Sequence, residues 1–424
     1  LEEENRQNLI KLFFRFHKLL LILIPRLNKT KTINKMKTNI ILAIFLGLLI
    51  NPIKAFCQKV PGTIVTYISV DENKYIGSPS LAILPNGDYV ASHDFFGPNS
   101  SEWQQAESQI FISKDKGKKW KHASTINGAF WSSLFVHKGD LYLLGPDRHH
   151  GTVLIRKSKD GGKTWTQPTN KENGVILTGE FHCAPMPVVA YNGRLWRPME
   201  TAHGPILEWG KRYGAMVMSV DENADLLNSK SWQVSNSVPF NAEYLNGNFG
   251  GWLEGNFVVG RDNKFWNVLR VDNKNSLQEK AAFLELSPDG KQLTFDPQTG
   301  FIDFPGGSKK FVIKYDDKSG YYYTLANVIP EKYSSKYPNR NPATFRNVLM
   351  LRKSKDLKNW MEVKTILEHE DVIHHGFQYV DWLFEGNDIL VLSRTAFFDG
   401  KKEAHNNHDA NFLTFHRIAD FRDL

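Results

Sequence analysis

The chain has 424 residues, 41% hydrophobic and 23% charged, which are the proportions of an ordinary globular protein with one large core or two smaller ones. Its net charge of +8 comes almost wholly from residues 1–56, where ten Lys/Arg face three acids and leave 43 basic against 42 acidic residues elsewhere. That balance excludes nucleic acid as a partner attracted by net charge, so any affinity for an anionic substrate rests on local cationic groups.

Residues 1–35 read as an upstream segment, because a second start-like stretch follows them. Met36 and Lys37, the apolar run 39–50 (NIILAIFLGLLI) and the small residue Ala55 form the pattern of a secretory signal peptide over 36–57. An apolar core of about a dozen residues is short for a membrane span of about 20. No stable membrane span is therefore expected. The chain is expected to be exported, to the periplasm or the cell exterior. A lipid anchor at Cys57 is disfavoured, since Ala-Phe-Cys is a poor lipobox. Only one other cysteine, Cys183, is present, so there is no disulfide framework.

From 58 to 424 no linker-like change of composition occurs, and one domain is expected. The stretch reads as short strands with turn punctuation and almost no helical periodicity. Turns stand at PNG (85–87), KGD (138–140), YNG (191–193), GRDN (260–263), SPDG (287–290), DDKSG (316–320) and EGND (385–388). Aromatic content of 12% together with 31 Gly suits an all-β carbohydrate-active protein.

An octamer recurs between these hairpins: 113–120 (SKDKGKKW), 158–165 (SKDGGKTW) and, in degenerate form, 354–360 (SKDLKNW). Its aspartate can accept hydrogen bonds from the N–H groups of its own turn, while the tryptophan buries a large apolar face. The repeat resembles the Asp box (BNR repeat) of the sialidase-like β-propellers. The resemblance implies an all-β propeller of four-stranded antiparallel blades with the boxes away from the active site. About 365 residues at roughly 40–50 per blade allow seven or eight blades, and seven is expected.

Sialidases of that superfamily bind the substrate carboxylate with three arginines, the first in an Arg-Ile-Pro motif. They add a Tyr/Glu nucleophile pair and an Asp acid/base. The matching segment, 75–81 (YIGSPSL), keeps Pro-Ser-Leu but has Gly77 where the arginine stands, which removes a bidentate carboxylate partner and counts against a sialidase. His182 (in GEFHCAP), His203 (in TAHGP), Tyr244 (in AEYLNG) and Arg261 (in VGRDN) follow one another at intervals of 21, 41 and 17 residues. Their order resembles the propeller-type ulvan lyases, which use two His, a Tyr and an Arg.

That resemblance implies a carbon-oxygen lyase acting by β-elimination on a uronic acid of an anionic, rhamnose/glucuronate glycan, as a polysaccharide lyase or an oligosaccharide dehydratase. Arg261 would neutralise the carboxylate, and His182, His203 and Tyr244 would share the base and acid roles. Each residue also has an ordinary structural role open to it: Tyr244 as a core aromatic, Arg261 as a turn residue. Further polar candidates are His149, His374, His375 and Arg394 for substrate contacts. His405, His408 and Asp409 are candidates for a zinc or calcium ion, although the sequence requires no cofactor. The alternatives are a glycoside hydrolase, of the α-L-rhamnosidase or exo-sialidase type, and a non-catalytic glycan-binding propeller.

Overall fold

The computed structural model describes residues 59–273 and 276–424; the upstream segment, the 36–57 leader and Cys57 lie outside the described residues. β1 (Thr63–Tyr67) and β2 (Tyr75–Ile76) come first. β3 (Ser80–Ile83), β4 (Tyr89–Phe96), β5 (Glu107–Ser113) and β6 (Lys121–Asn127) then form an antiparallel meander. The same unit recurs in β7 (Ser133–His137), β8 (Asp140–Pro146), β9 (Gly151–Ser158) and β10 (Val175–His182). It recurs again in β11 (Val189–Tyr191), β12 (Arg194–Thr201), β13 (Gly214–Asp221) and β14 (Trp232–Val234).

The fourth unit is β15 (Gly251–Val259), β16 (Phe265–Asp272), β17 (Lys280–Leu286) and β18 (Leu293–Thr294), with β19 (Phe301–Asp303) also paired to β17. The fifth is β20 (Val312–Asp316), β21 (Tyr321–Ala326), β22 (Val348–Ser354) and β23 (Trp360–Glu368); a short helix, α1 (Glu331–Lys336), lies in the loop after β21. The last takes β24 (Gly376–Glu385), β25 (Asp388–Ala396) and β26 (Phe412–Ile418), and β1 completes it from the start of the domain. Two paired positions between β10 and β12 merge the second and third units into one larger sheet.

Six four-stranded units result, where seven blades are expected from length and resemblance. The apolar packing agrees with this count, because one buried cluster fills each seam between neighbouring units. The first and second share Val90, Ile110, Leu134 and Leu141; the third and fourth share Val217, Trp252 and Leu269, with Trp196 stacked on Phe257 at 4.8 Å. The sixth and first share Leu390, Leu392, Leu81 and Phe111, which closes the ring. Blades packed on both faces bury both sets of side chains. That is why strands such as GAMVMSV (214–220) are buried throughout and nearly all apolar instead of alternating.

Each box is the turn between the third and fourth strands of its blade. In the second blade Asp160 Oδ1 accepts from the Thr164 and Lys163 N–H groups at 2.9 and 3.1 Å, and Ser158 Oγ donates to it at 2.9 Å. Asp115 and Asp356 repeat this geometry. The SPDG turn is a fourth copy without the tryptophan: Ser287 Oγ donates to Asp289 Oδ1, and Gln292 N–H donates to Ser287 Oγ.

Because successive strands run in opposite directions, the boxes and the first-to-second hairpins share one face of the ring. The second-to-third loops and the links between blades share the other.

Candidate functional site

The inter-blade face gathers charged side chains that the strands push inward at their ends. Arg270 lies near the end of β16, Arg346 precedes β22 and Arg394 lies in β25; all three are buried. Around them stand Tyr379 and Glu254. Arg270 Nη1 donates to both Glu254 oxygens at 3.0 and 3.1 Å and to Tyr379 Oη at 3.3 Å. The Arg346 and Arg394 guanidinium groups lie 5.2 and 4.8 Å from the centre of the Tyr379 ring.

Arg270 therefore has a carboxylate. Among the described residues Arg346 and Arg394 have none: Arg346 donates to Gln378 Oε1 at 2.6 Å, and Arg394 Nη2 to the His408 carbonyl at 2.6 Å. Burial pushes the Arg394 guanidinium down to about 10, the response of a cation that water no longer solvates. Two buried cations without an anion make a receptor for one.

Backbone strain marks the same place. Glu254, Tyr379 and Trp131 have φ of +56°, +50° and +41°, a region that bulky residues occupy at a cost of about 1–3 kcal/mol each. Glu254 and Tyr379 sit at bulges, where the pairing slips between Leu253 and Asn256 and between Gln378 and Asp381. The bulges re-aim these side chains out of the pleat.

Asp94, at the end of β4, is the acid of the cluster. Burial pushes its carboxyl up to about 7, against the pull of the Arg394 charge and the Ser78 and Trp131 backbone groups. Its carboxyl packs on Gly77, where an added Cβ would meet Asp94 Cγ at 2.6 Å. Gly77 is thus the residue that makes room for Asp94, and Arg394, from the last blade, supplies the third guanidinium.

His182 Nδ1 lies 3.0 Å from Glu200 Oε2, both fully buried. Burial holds His182 neutral, down to about 3, while burial and the Glu254 charge push Glu200 up to about 8. The pair therefore shares one proton. Glu200 Oε1 also accepts from Gly255 N–H at 3.4 Å, which ties it to the Glu254 bulge. Trp131 joins His182 to His149, with ring centres at 5.1 and 4.7 Å.

The structure does not bring the four expected catalytic residues together. His182 lies in the cluster, whereas His203 is exposed and touches the edge of Phe181. Tyr244 packs among Phe249, Trp252, Phe295 and Phe301. Arg261 sits in the β15–β16 hairpin and bonds the Gly320 carbonyl, on the opposite face; seven strand residues from Glu254, it is about 23 Å away.

Of the further candidates, Arg394 and His149 are at the site, His374 is half-buried beside Asp371, and His375 is buried against His369 and Phe397. His405 and His408 each face Asp409, at 2.9 and 2.8 Å. Arg394 Nη2 lies 3.3 Å from the His408 ring, and a guanidinium there opposes a metal ion. A hollow of about 840 Å³ opens on the opposite face among Arg261, Tyr315, Lys314 and Phe384. It holds no converging pair of carboxylates and no strained residue apart from the turn residue Asn263.

Sequence reading missed Asp94, Glu200, Glu254, Arg270, Arg346 and Tyr379. The available signal was a charge inside an otherwise apolar strand, as in GWLEGNF (251–257) and FWNVLR (265–270).

No protein-family model matches the chain, and no curated protein matches it in sequence. Its fold is that of sialidase-like β-propellers. An α-L-arabinanase from Penicillium chrysogenum superposes with a TM-score of 0.52 at 15% identity, covering 87% of this chain and 100% of that one. An α-L-arabinofuranosidase from Fusarium graminearum gives 0.51 at 12%, covering 86% and 98%. A Hadza microbial sialidase gives 0.53 at 12%, covering 84% and 68%. These neighbours are glycoside hydrolases by name, and none of the three is an ulvan lyase. Together with the separation of Tyr244 and Arg261 from His182, this overturns the lyase expectation.

Proposed function

We propose that the protein is a glycoside hydrolase that releases a terminal, carboxylate-bearing sugar from an anionic glycan. The observation that carries this reading is the pair of buried guanidinium groups without an anion, Arg346 and Arg394, next to Tyr379 and Glu254, to both of which Arg270 donates. The substrate carboxylate would lie between them. Asp94, protonated near neutrality, gives its proton to the glycosidic oxygen as the C–O bond breaks. Tyr379 Oη attacks the anomeric carbon while its proton passes to Glu254, and Arg270 holds the two in register. Water, deprotonated by Asp94, then attacks the same carbon, and Tyr379 leaves and recovers its proton from Glu254.

Phe96 and His408 lie over Arg394, so loop 397–411 has to yield when the substrate enters. Export, expected from residues 36–57, would place the enzyme among extracellular glycans.

The test is a panel of fluorogenic glycosides: sialic acid α-ketosides and glucuronides beside their neutral counterparts. Turnover of an acidic member that Tyr379→Phe abolishes supports the reading. Equal turnover of acidic and neutral members, or an acidic activity that Tyr379→Phe leaves intact, sinks it.

A further inference from the structure

A second cluster lies on the same face, where residues 369–376, leading into β24, meet loop 397–411. The His375 side chain is only 4% exposed, and neither of its ring nitrogens makes a hydrogen bond. Asp371 Oδ2 lies 3.4 Å from Nδ1, and Glu403 Oε2 lies 3.6 Å from Nε2. An imidazole gives an ion one nitrogen, so only one of these contacts is a spacing between ligand atoms; about 3.4 Å separates the ligands of a tetrahedral ion with bonds of about 2.1 Å, and the Asp371 contact matches it. One donor atom each from Asp371, His375 and Glu403 falls within 4.8 Å of the other two.

Asp371 is held in place from outside. Its Oδ1 accepts from Ile373 N–H at 2.6 Å, and His374 Nδ1 lies 3.0 Å from Oδ2. Among the described residues no lysine or arginine forms an ion pair with Asp371 or Glu403.

We propose that Asp371, His375 and Glu403 bind a divalent metal ion of the class that takes mixed imidazole and carboxylate ligands, with zinc the best fit. The other converging group, Glu102, His149 and His150, has a cation beside it already. His150 lies 2.7 Å from Glu102 and 2.9 Å from Tyr213 Oη, and the Arg212 guanidinium 3.7 Å from Glu102 repels a cation. The Asp371 site joins two segments that already meet. Asn407 donates to the Val372 carbonyl at 2.7 Å, and its own N–H donates to the Ile373 carbonyl at 2.6 Å. An ion there fastens the loop that carries His408.

The experiment uses the full chain, stripped with EDTA, reloaded with zinc chloride, desalted and measured by elemental mass spectrometry. One zinc per chain is expected, with affinity at least tenfold weaker in Glu403→Gln. That residue is exposed, so the variant keeps its fold. Zinc at about 100 times the parent's Kd raises the melting midpoint of the parent by about 3 °C and that of Glu403→Gln by no more than about half as much. It also slows tryptic cleavage at Lys401 and Lys402 in the parent alone. Zinc retention equal in the parent and in Glu403→Gln, or no retention in either, overturns the proposal, whatever the fate of the hydrolase reading.

Discussion

Asparagine at position 94 separates what the chemistry needs from what the fold prefers. Asp94 is 1% exposed, and its carboxyl is pushed from 3.8 up to about 7 by burial. In the unfolded chain the same group ionises near 3.9. The folded protein thus holds the extra proton between about pH 4 and 7, and stability falls as pH rises through that window. The loss amounts to about 4 kcal/mol above pH 7, with about 1.5 kcal/mol of it already incurred by pH 5.

Asp94→Asn has nothing to ionise. It should exceed the parent in stability by up to about 4 kcal/mol at pH 8, near 5 °C in melting temperature for a chain this size, and by less than half that at pH 5. The same variant lacks the proton donor, so kcat/KM should fall by about 10²–10⁴. Urea unfolding at the two pH values, with kinetics on the same samples, measures both. An Asp94→Asn protein less stable than the parent at pH 8, or a gain that does not grow with pH, would refute the reasoning.

In the parent, kcat/KM should decline as pH rises through about 7, because Asp94 loses its proton there; a flat profile from pH 6 to 8 argues against Asp94 as the acid. Arg394→Ala should cost an acidic substrate about 30-fold or more in kcat/KM, the loss of one charge-assisted pair, with little change for a neutral analogue. Asp160→Ala removes the acceptor of a box turn on the opposite face. It should lower stability by about 1 kcal/mol in chemical denaturation without changing kcat. Arg261→Ala and Tyr244→Phe should leave kcat within about twofold, since neither side chain reaches the site; a hundredfold loss in either would return them to it.

Much of the architecture was written in local patterns. The box aspartates make the bonds their octamers promised, because an Asx-type turn depends on residues two to four apart. The blade number was also within reach. Six of the seven hairpin turns join first and second strands, and the seventh, SPDG, has box geometry and belongs to the fourth blade. Counted by turn type, the turns give six blades.

The same sorting would have moved Arg261. Its turn, GRDN, is of the first-to-second kind and lies on the box face, whereas His182 ends a fourth strand and lies on the other. Order along the chain matched a known site; direction along the strand contradicted it.

What the chain by itself determined is therefore the all-β propeller and its turns, set by interactions within a few residues, whereas seven blades were expected and the structure has six. The site was decided by closure of the ring. Asp94, Glu254, Arg270, Arg346, Tyr379 and Arg394 come from the first, fourth, fifth and sixth blades and share no spacing. Arg394 and Gly77 both stand beside the Asp94 carboxyl although 317 residues separate the two positions. Burial sets Asp94 near 7 and leaves Arg346 and Arg394 without counter-ions. Burial in a ring is a property of all its blades together, because each wall is supplied by a neighbour.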